Sequence, residues 1–152
     1  MLTVNSDEFF MREALKEARK ALEQDEAPVG AVVVCRERII ARAHNLQERL
    51  TDATAHAEMQ AITAASSFLG SKVLEECTLY VTVEPCAMCA GAAYWARVGR
   101  LVYGASDPKR GYTVFNAALL HPRTEVSYGI LREECGKLMS EFFKQKRPPA
   151  VY

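Results

Sequence analysis

Two short stretches of the 152-residue chain carry side chains that could do chemistry together: Cys86-Ala87-Met88-Cys89, directly after Pro85, and His56-Ala57-Glu58. Cysteines three residues apart share one face of a helix. Pro85 suits a helix start, so both thiols fall in a first turn, where unpaired N–H groups and the positive dipole end lower thiol pKa. Such a pair reads as metal ligands short of partners, as a redox Cys-x-x-Cys, or as two half-buried cysteines. His56 supplies a further donor. One imidazole and two thiolates suit tetrahedral zinc with a fourth position open to water. Zinc lowers the pKa of a bound water from about 15.7 to about 7, and Glu58 is placed to carry that water's proton to a leaving group. Alone, Glu58 would be ordinary compensation of a helix dipole. Residues two apart on a helix point to nearly opposite sides. His56 and Glu58 therefore address one point only beyond the helix end, with His56 at the cap and Glu58 in the first turn. A structural zinc site would need a fourth protein ligand; His44 and His121 have no spacing that demands it and read as strand-end or turn histidines.

These residues need two helix starts side by side at one end of a sheet. Residues 78–83 are a β-branched run that reads as a buried strand, running through Pro85 into a helix over 86–97. Upstream, Ala27-Pro28-Val29-Gly30 turns into a strand over 31–35, and Arg36-Glu37-Arg38 turns the chain back into a paired strand over 39–44. Asn45 lies where that strand runs out, at a loop end where function concentrates, although an Asn there also serves as a plain turn residue. A helix over about 56–69 follows, closed by Gly70. The first helix has its cap candidates in Asn5-Ser6-Asp7, extends to about Gln24, and sets Phe10, Ala14, Leu15, Ala18 and Leu22 on one face. Residues 101–105 read as a strand, 107–112 as a loop with local basic charge, and 125–128 as a short edge strand. A last helix over about 132–146 carries Leu138, Met139, Phe142 and Phe143 and stops at Pro148-Pro149. A hairpin followed by β-α-β units predicts an α/β fold: a three-layer α/β/α sandwich with a mixed central sheet of about five strands and helices on both faces. Ligands in such sheets gather at the carboxyl ends of strands.

Hydrophobic residues at 49% and charged residues at 25% fit a globular chain able to bury a core, and one domain spanning 1–152 is expected. Five cysteines without repeating spacing argue against a secreted disulfide framework. Cys35, Cys77 and Cys135 read as core or strand-end thiols. The formal charge of zero gives no global attraction to nucleic acid, so any such binding must use a local patch. Without a leader or an apolar run of membrane length, a cytoplasmic protein is expected.

The combination His-x-Glu followed by Pro-Cys-x-x-Cys is the established signature of zinc-dependent nucleobase deaminases, and the likeness is recognised from that signature. Ala27-Pro28-Val29-Gly30-Ala31-Val32, Thr54-Ala55-His56-Ala57-Glu58, the run from Thr78 to Ala92 and Glu141-Phe142-Phe143 together resemble the bacterial tRNA-specific adenosine deaminases, a branch of the cytidine/deoxycytidylate deaminase-like superfamily. The similarity spans about Phe9 to Arg147. It implies one Zn2+ per subunit on His56, Cys86 and Cys89, with Glu58 as proton shuttle in hydrolytic deamination of the wobble adenosine to inosine. It further implies Asn45 hydrogen-bonding the purine and the backbone around Val29 and Ala57 lining the base pocket. Asp107 and Lys109 match a loop beside the anticodon, and Phe143 matches a contact from the C-terminal helix. The family pattern also implies a homodimer that binds the tRNA anticodon loop near its interface. Departures lie at the periphery: residues 110–116 replace a small-residue stretch of the tRNA enzymes, and Tyr94-Trp95-Ala96-Arg97 looks like small guanine deaminases. Residues 142–147 set aromatics for stacking beside cations for phosphate; they equally suit a helix end with aromatics in the core and cations answering the dipole. Two other readings stay open: deamination of a free base or nucleoside of guanine or cytosine type, and a non-catalytic zinc-binding interaction domain with a fourth ligand and an idle Glu58.

Overall fold

The computed structural model describes residues 6–146. The cap candidate Asn5, together with Arg147 and the stop at Pro148-Pro149, lies outside the described residues. In chain order the first elements are α1 (Ser6–Glu23), β1 (Gly30–Cys35), β2 (Arg38–His44), α2 (Gln47–Leu50), α3 (Ala57–Leu69) and β3 (Cys77–Val83). There follow α4 (Ala87–Ala96), β4 (Arg100–Ala105), α5 (Tyr112–Phe115), a 3-10 turn (Ala117–Leu119), β5 (Glu125–Tyr128) and α6 (Arg132–Lys146).

The five strands stand in the order β2-β1-β3-β4-β5. Both β2 and β3 pair antiparallel with β1, whereas β3, β4 and β5 are mutually parallel neighbours. Four of the five strands thus point the same way, and their carboxyl ends lie along one edge. The mixed sheet expected from the hairpin and β-α-β order is the sheet observed.

Alternate strand residues feed two cores. Ala31, Val33, Leu79, Val81 and Leu101 meet α3 and α4, while Val32, Val34, Tyr80 and Val102 meet α1 and α6. Burial on both faces explains why β1 reads as an unbroken apolar run and β3 as a β-branched one without polar alternation. On α1 the buried stripe is Phe10, Met11, Ala14, Leu15, Ala18 and Ala21; Leu22, expected on it, is only half-buried. Gly30 permits the close approach of this helix, since a Cβ there would overlap the carbonyl of Ala14 and the amide of Ala18. At the other end of α1, Asp7 accepts two hydrogen bonds from Arg100 and one from the Tyr80 hydroxyl, each 2.7 Å long. The bidentate pair holds the Asp7 carboxyl below its usual range.

Two short helices, α2 and α5, occupy stretches to which the sequence assigns no helix. Each has its first N–H groups held by a distant buried carboxylate. Glu26 accepts from the amides of Glu48 (3.1 Å) and Arg49 (2.8 Å), and Glu84 accepts from the amide of Thr113 (3.0 Å). Among the described residues, no helix is long and apolar enough to cross a membrane.

Candidate metal centre and active site

The shared carboxyl edge of the sheet assembles the site. Strand β3 leads through Glu84 and Pro85 into Cys86, the N-cap of α4. Strand β2 ends at His44, and the segment carrying α2 brings the chain back to His56, the N-cap of α3. Both caps have extended backbone, with φ −73° in each. Because β2 and β3 flank β1 and run in the same direction, the two helix starts converge beside Gly30.

Cys86 Sγ lies 3.6 Å from His56 Nδ1, and Cys89 Sγ lies 3.5 Å from it. The three ligand atoms all fall within 4.8 Å of one another. Among the described residues this is the one group of His, Cys, Asp or Glu drawn together in this way. A nitrogen and two sulfurs at this spacing fit zinc, and three protein donors leave one tetrahedral position open. The other histidines face elsewhere. The ring of His44 meets Glu17 and Gln24; His121 Nδ1 accepts the amide of Arg123, and its ring lies against Tyr94.

Electrostatics separate the two thiols. A hydrogen bond from the Cys89 side chain, with His56 beside it, holds Cys86 down to about 4. The same contact and burial push Cys89 up. His56 is raised chiefly by its bond to Cys86. Glu58, in the first turn of α3, is 4% exposed, and burial pushes its carboxyl up to about 7. A carboxyl with that affinity can both take and release a proton near neutrality.

Asn45 is buried, and its Oδ1 accepts the Ala57 amide at 2.8 Å. Its own backbone N–H donates to the Val29 carbonyl at 3.2 Å. Asn45, Val29 and Ala57, the three residues the resemblance implies for a base pocket, are therefore joined by hydrogen bonds through Asn45. The Ala57 amide and the Val29 carbonyl are thus both engaged by Asn45, whose side-chain oxygen is assigned as the acceptor and whose amide nitrogen is the remaining donor.

Asp107 and Lys109 follow β4 at the same edge. Asp107 Oδ1 accepts the amides of Lys109 and Arg110, each at 3.0 Å, which shapes the turn, while Lys109 is exposed. Glu84 Oε1 accepts the Asp107 amide at 3.0 Å. Phe143 is not brought to the metal centre. It is 46% exposed and lines a cleft of about 520 Å³ with Asp25, Arg49 and Lys146, whereas Phe142 beside it is buried. A cavity of about 660 Å³ between residues 35–40 and 68–77 lies at the opposite edge of the sheet and contains none of these groups. The residues missed from the sequence are Glu26 and Glu84. Their signal was an acidic residue directly flanking a buried apolar run, where a carboxylate must find donors.

A family model described as the cytidine and deoxycytidylate deaminase zinc-binding region matches residues 4–105. The tRNA-specific adenosine deaminase of Bacillus subtilis is 49% identical over 149 residues, covering 95% of this chain and 92% of that protein. A solved transfer-RNA deaminase of A-to-I editing at the wobble position superimposes with a TM-score of 0.79 at 43% identity, covering 86% of this chain and 98% of the other. The guanine deaminase of Nitrosomonas europaea superimposes with a TM-score of 0.78 at 26% identity, covering 89% and 83% respectively.

Proposed function

The chain belongs to the cytidine and deoxycytidylate deaminase family, and from that premise we propose that it is a hydrolytic deaminase converting the wobble adenosine of tRNA to inosine with release of ammonia. The observation that carries the reading is the convergence of His56, Cys86 and Cys89 within 4.8 Å beside the buried carboxyl of Glu58. The 49% identity to a tRNA-specific adenosine deaminase over 95% of this chain directs the substrate choice toward RNA.

His56, Cys86 and Cys89 would hold one zinc ion per subunit. When bound, zinc lowers the pKa of a water from about 15.7 to about 7. Glu58 takes one proton of the attacking water and passes it to the adenine ring nitrogen, then takes the remaining hydroxyl proton and delivers it to the amino group as the C6–N bond breaks. The water oxygen becomes the C6 carbonyl and the nitrogen leaves as ammonia. Asn45 donates from its amide nitrogen to an acceptor on the purine, and the backbone at Val29 and Ala57 walls the base pocket. Lys109 meets phosphate, and Asp107 shapes the turn that presents it beside the anticodon loop. Phe143, in its cleft with Arg49 and Lys146, offers a stacking face on the α6 side.

The chain acts as one domain over 1–152, as a cytoplasmic homodimer. Support for the dimer comes from α4 and the adjoining α5, which expose Tyr94, Trp95 (81%), Val114 and Phe115. Large apolar side chains gathered on one surface mark interaction sites.

The test incubates zinc-loaded protein separately with an anticodon stem-loop carrying a wobble adenosine, with free guanine and with cytidine. Inosine in the RNA and no ammonia from the small molecules is expected. Turnover of guanine or cytidine with an unedited stem-loop would overturn the substrate assignment.

A further inference from the structure

Glu84 is a buried carboxylate, 5% exposed, that the proposed chemistry does not use. Its Oε1 accepts the Asp107 amide at 3.0 Å. Its Oε2 accepts the Thr113 amide at 3.0 Å and the Thr113 hydroxyl at 2.6 Å. The carboxylate therefore grips both ends of the 107–113 loop. Gly111 makes room for it, since a Cβ at that position would overlap the Glu84 carboxyl. On the other side, Glu84 sits two residues before Cys86. Backbone contacts close the circuit: the Glu84 amide donates to Ala105, the Tyr112 amide donates to Pro85, and Gly111 bridges Cys86.

We infer that Glu84 is a positioning residue that fixes the 107–113 loop to the Cys86 helix start and so sets where Lys109 stands relative to the metal centre. This rests on the reading in which Lys109 meets RNA phosphate. A buried carboxylate with three donors is costly to disturb, because each donor left unpaired keeps its desolvation penalty. Substitution loosens the Asp107 and Thr113 ends that the carboxylate holds, while the backbone contacts of Gly111 and Tyr112 with Cys86 and Pro85 remain. A loosened loop still presents a cation, but spreads it over more positions.

The experiment compares wild type, Glu84→Gln, Thr113→Val, Lys109→Ala and the Glu84→Gln/Lys109→Ala double variant, all zinc-loaded. The readouts are zinc content, kcat and KM on the anticodon stem-loop, and hydrogen exchange at the Asp107 and Thr113 amides. Glu84→Gln is expected to keep zinc and kcat, to raise KM roughly five- to tenfold, and to leave Lys109→Ala with little further effect on KM, since coupled sites are non-additive. Both amides exchange faster in Glu84→Gln. Thr113→Val, which removes one donor and keeps the carboxylate, shifts KM in the same direction by less. Independent KM effects of Glu84→Gln and Lys109→Ala, or loss of zinc and kcat at unchanged KM, would overturn the inference. Should wild type leave the stem-loop unedited, the RNA reading fails separately. Exchange at the two amides then decides: acceleration supports the grip of Glu84 on the loop, and wild-type rates overturn it.

Discussion

Asn45 joins fold to recognition, and its two roles can be separated by substitution. Its Oδ1 accepts the Ala57 amide at 2.8 Å, one of the first-turn N–H groups of α3 that no intrahelical carbonyl can reach. Asn45→Ala leaves that buried donor unpaired, at a cost of about 1–3 kcal/mol. For a chain of this size each kcal/mol corresponds to about 2–4 °C, so the melting temperature falls by roughly 2–12 °C. Asn45→Asp retains an acceptor for Ala57 and adds negative charge at a helix N-terminus, where the dipole favours it. What it loses is the amide donor proposed to meet the purine. One hydrogen bond is worth about 0.5–1.5 kcal/mol, or about 2- to 13-fold in kcat/KM. Scanning calorimetry with steady-state deamination of the stem-loop separates the cases. Asn45→Ala loses both stability and kcat/KM, whereas Asn45→Asp keeps its melting temperature close to wild type and loses kcat/KM. An Asn45→Ala protein that melts like wild type would refute the role at the helix start. Full activity in Asn45→Asp would refute the donor role.

Glu58→Gln preserves shape and removes proton transfer, so kcat on the stem-loop falls on the order of 10²–10⁴-fold at unchanged zinc content; loss of zinc would instead make Glu58 a metal ligand. Asp7→Asn tests the bidentate pair with Arg100. The Asp7 carboxyl titrates below its ordinary 3.8 in the folded chain, so its stabilisation is complete above that pH and disappears as pH falls through the lower folded value. The stability gap between wild type and Asp7→Asn should hold from pH 8 to about pH 5 and narrow below about pH 3.8 in urea titrations; a gap that widens in acid would reverse the assignment. Gly30→Ala drives a methyl into the Ala14 carbonyl and Ala18 amide. A loss of about 1–3 kcal/mol is expected from overpacking, read by chemical denaturation, and a neutral result would deny the close contact.

The metal centre was legible because its logic is local. Cys86 and Cys89 share a face at a helix start, and the two-residue step from His56 to Glu58 forces both toward the helix end; the structure sets His56 at the N-cap and Glu58 in the first turn. The sheet was legible because β1 is an apolar run and β3 a β-branched one, as near-complete burial on both faces favours. The short helices α2 and α5 were not. Four residues carry no helical period, and each helix takes its cap from a carboxylate far along the chain, Glu26 for α2 and Glu84 for α5. Residues 142–147 were ambiguous because core-facing and RNA-facing aromatics look alike in sequence. The fold splits them, with Phe142 buried and Phe143 exposed.

The central claim is a three-ligand metal site with one position free for reaction. X-ray absorption at the zinc edge of the loaded protein tests it most directly. One imidazole nitrogen, two sulfurs and a single light scatterer that exchanges with added small anions are expected. A fourth nitrogen or sulfur from the protein, inert to exchange, would contradict the account.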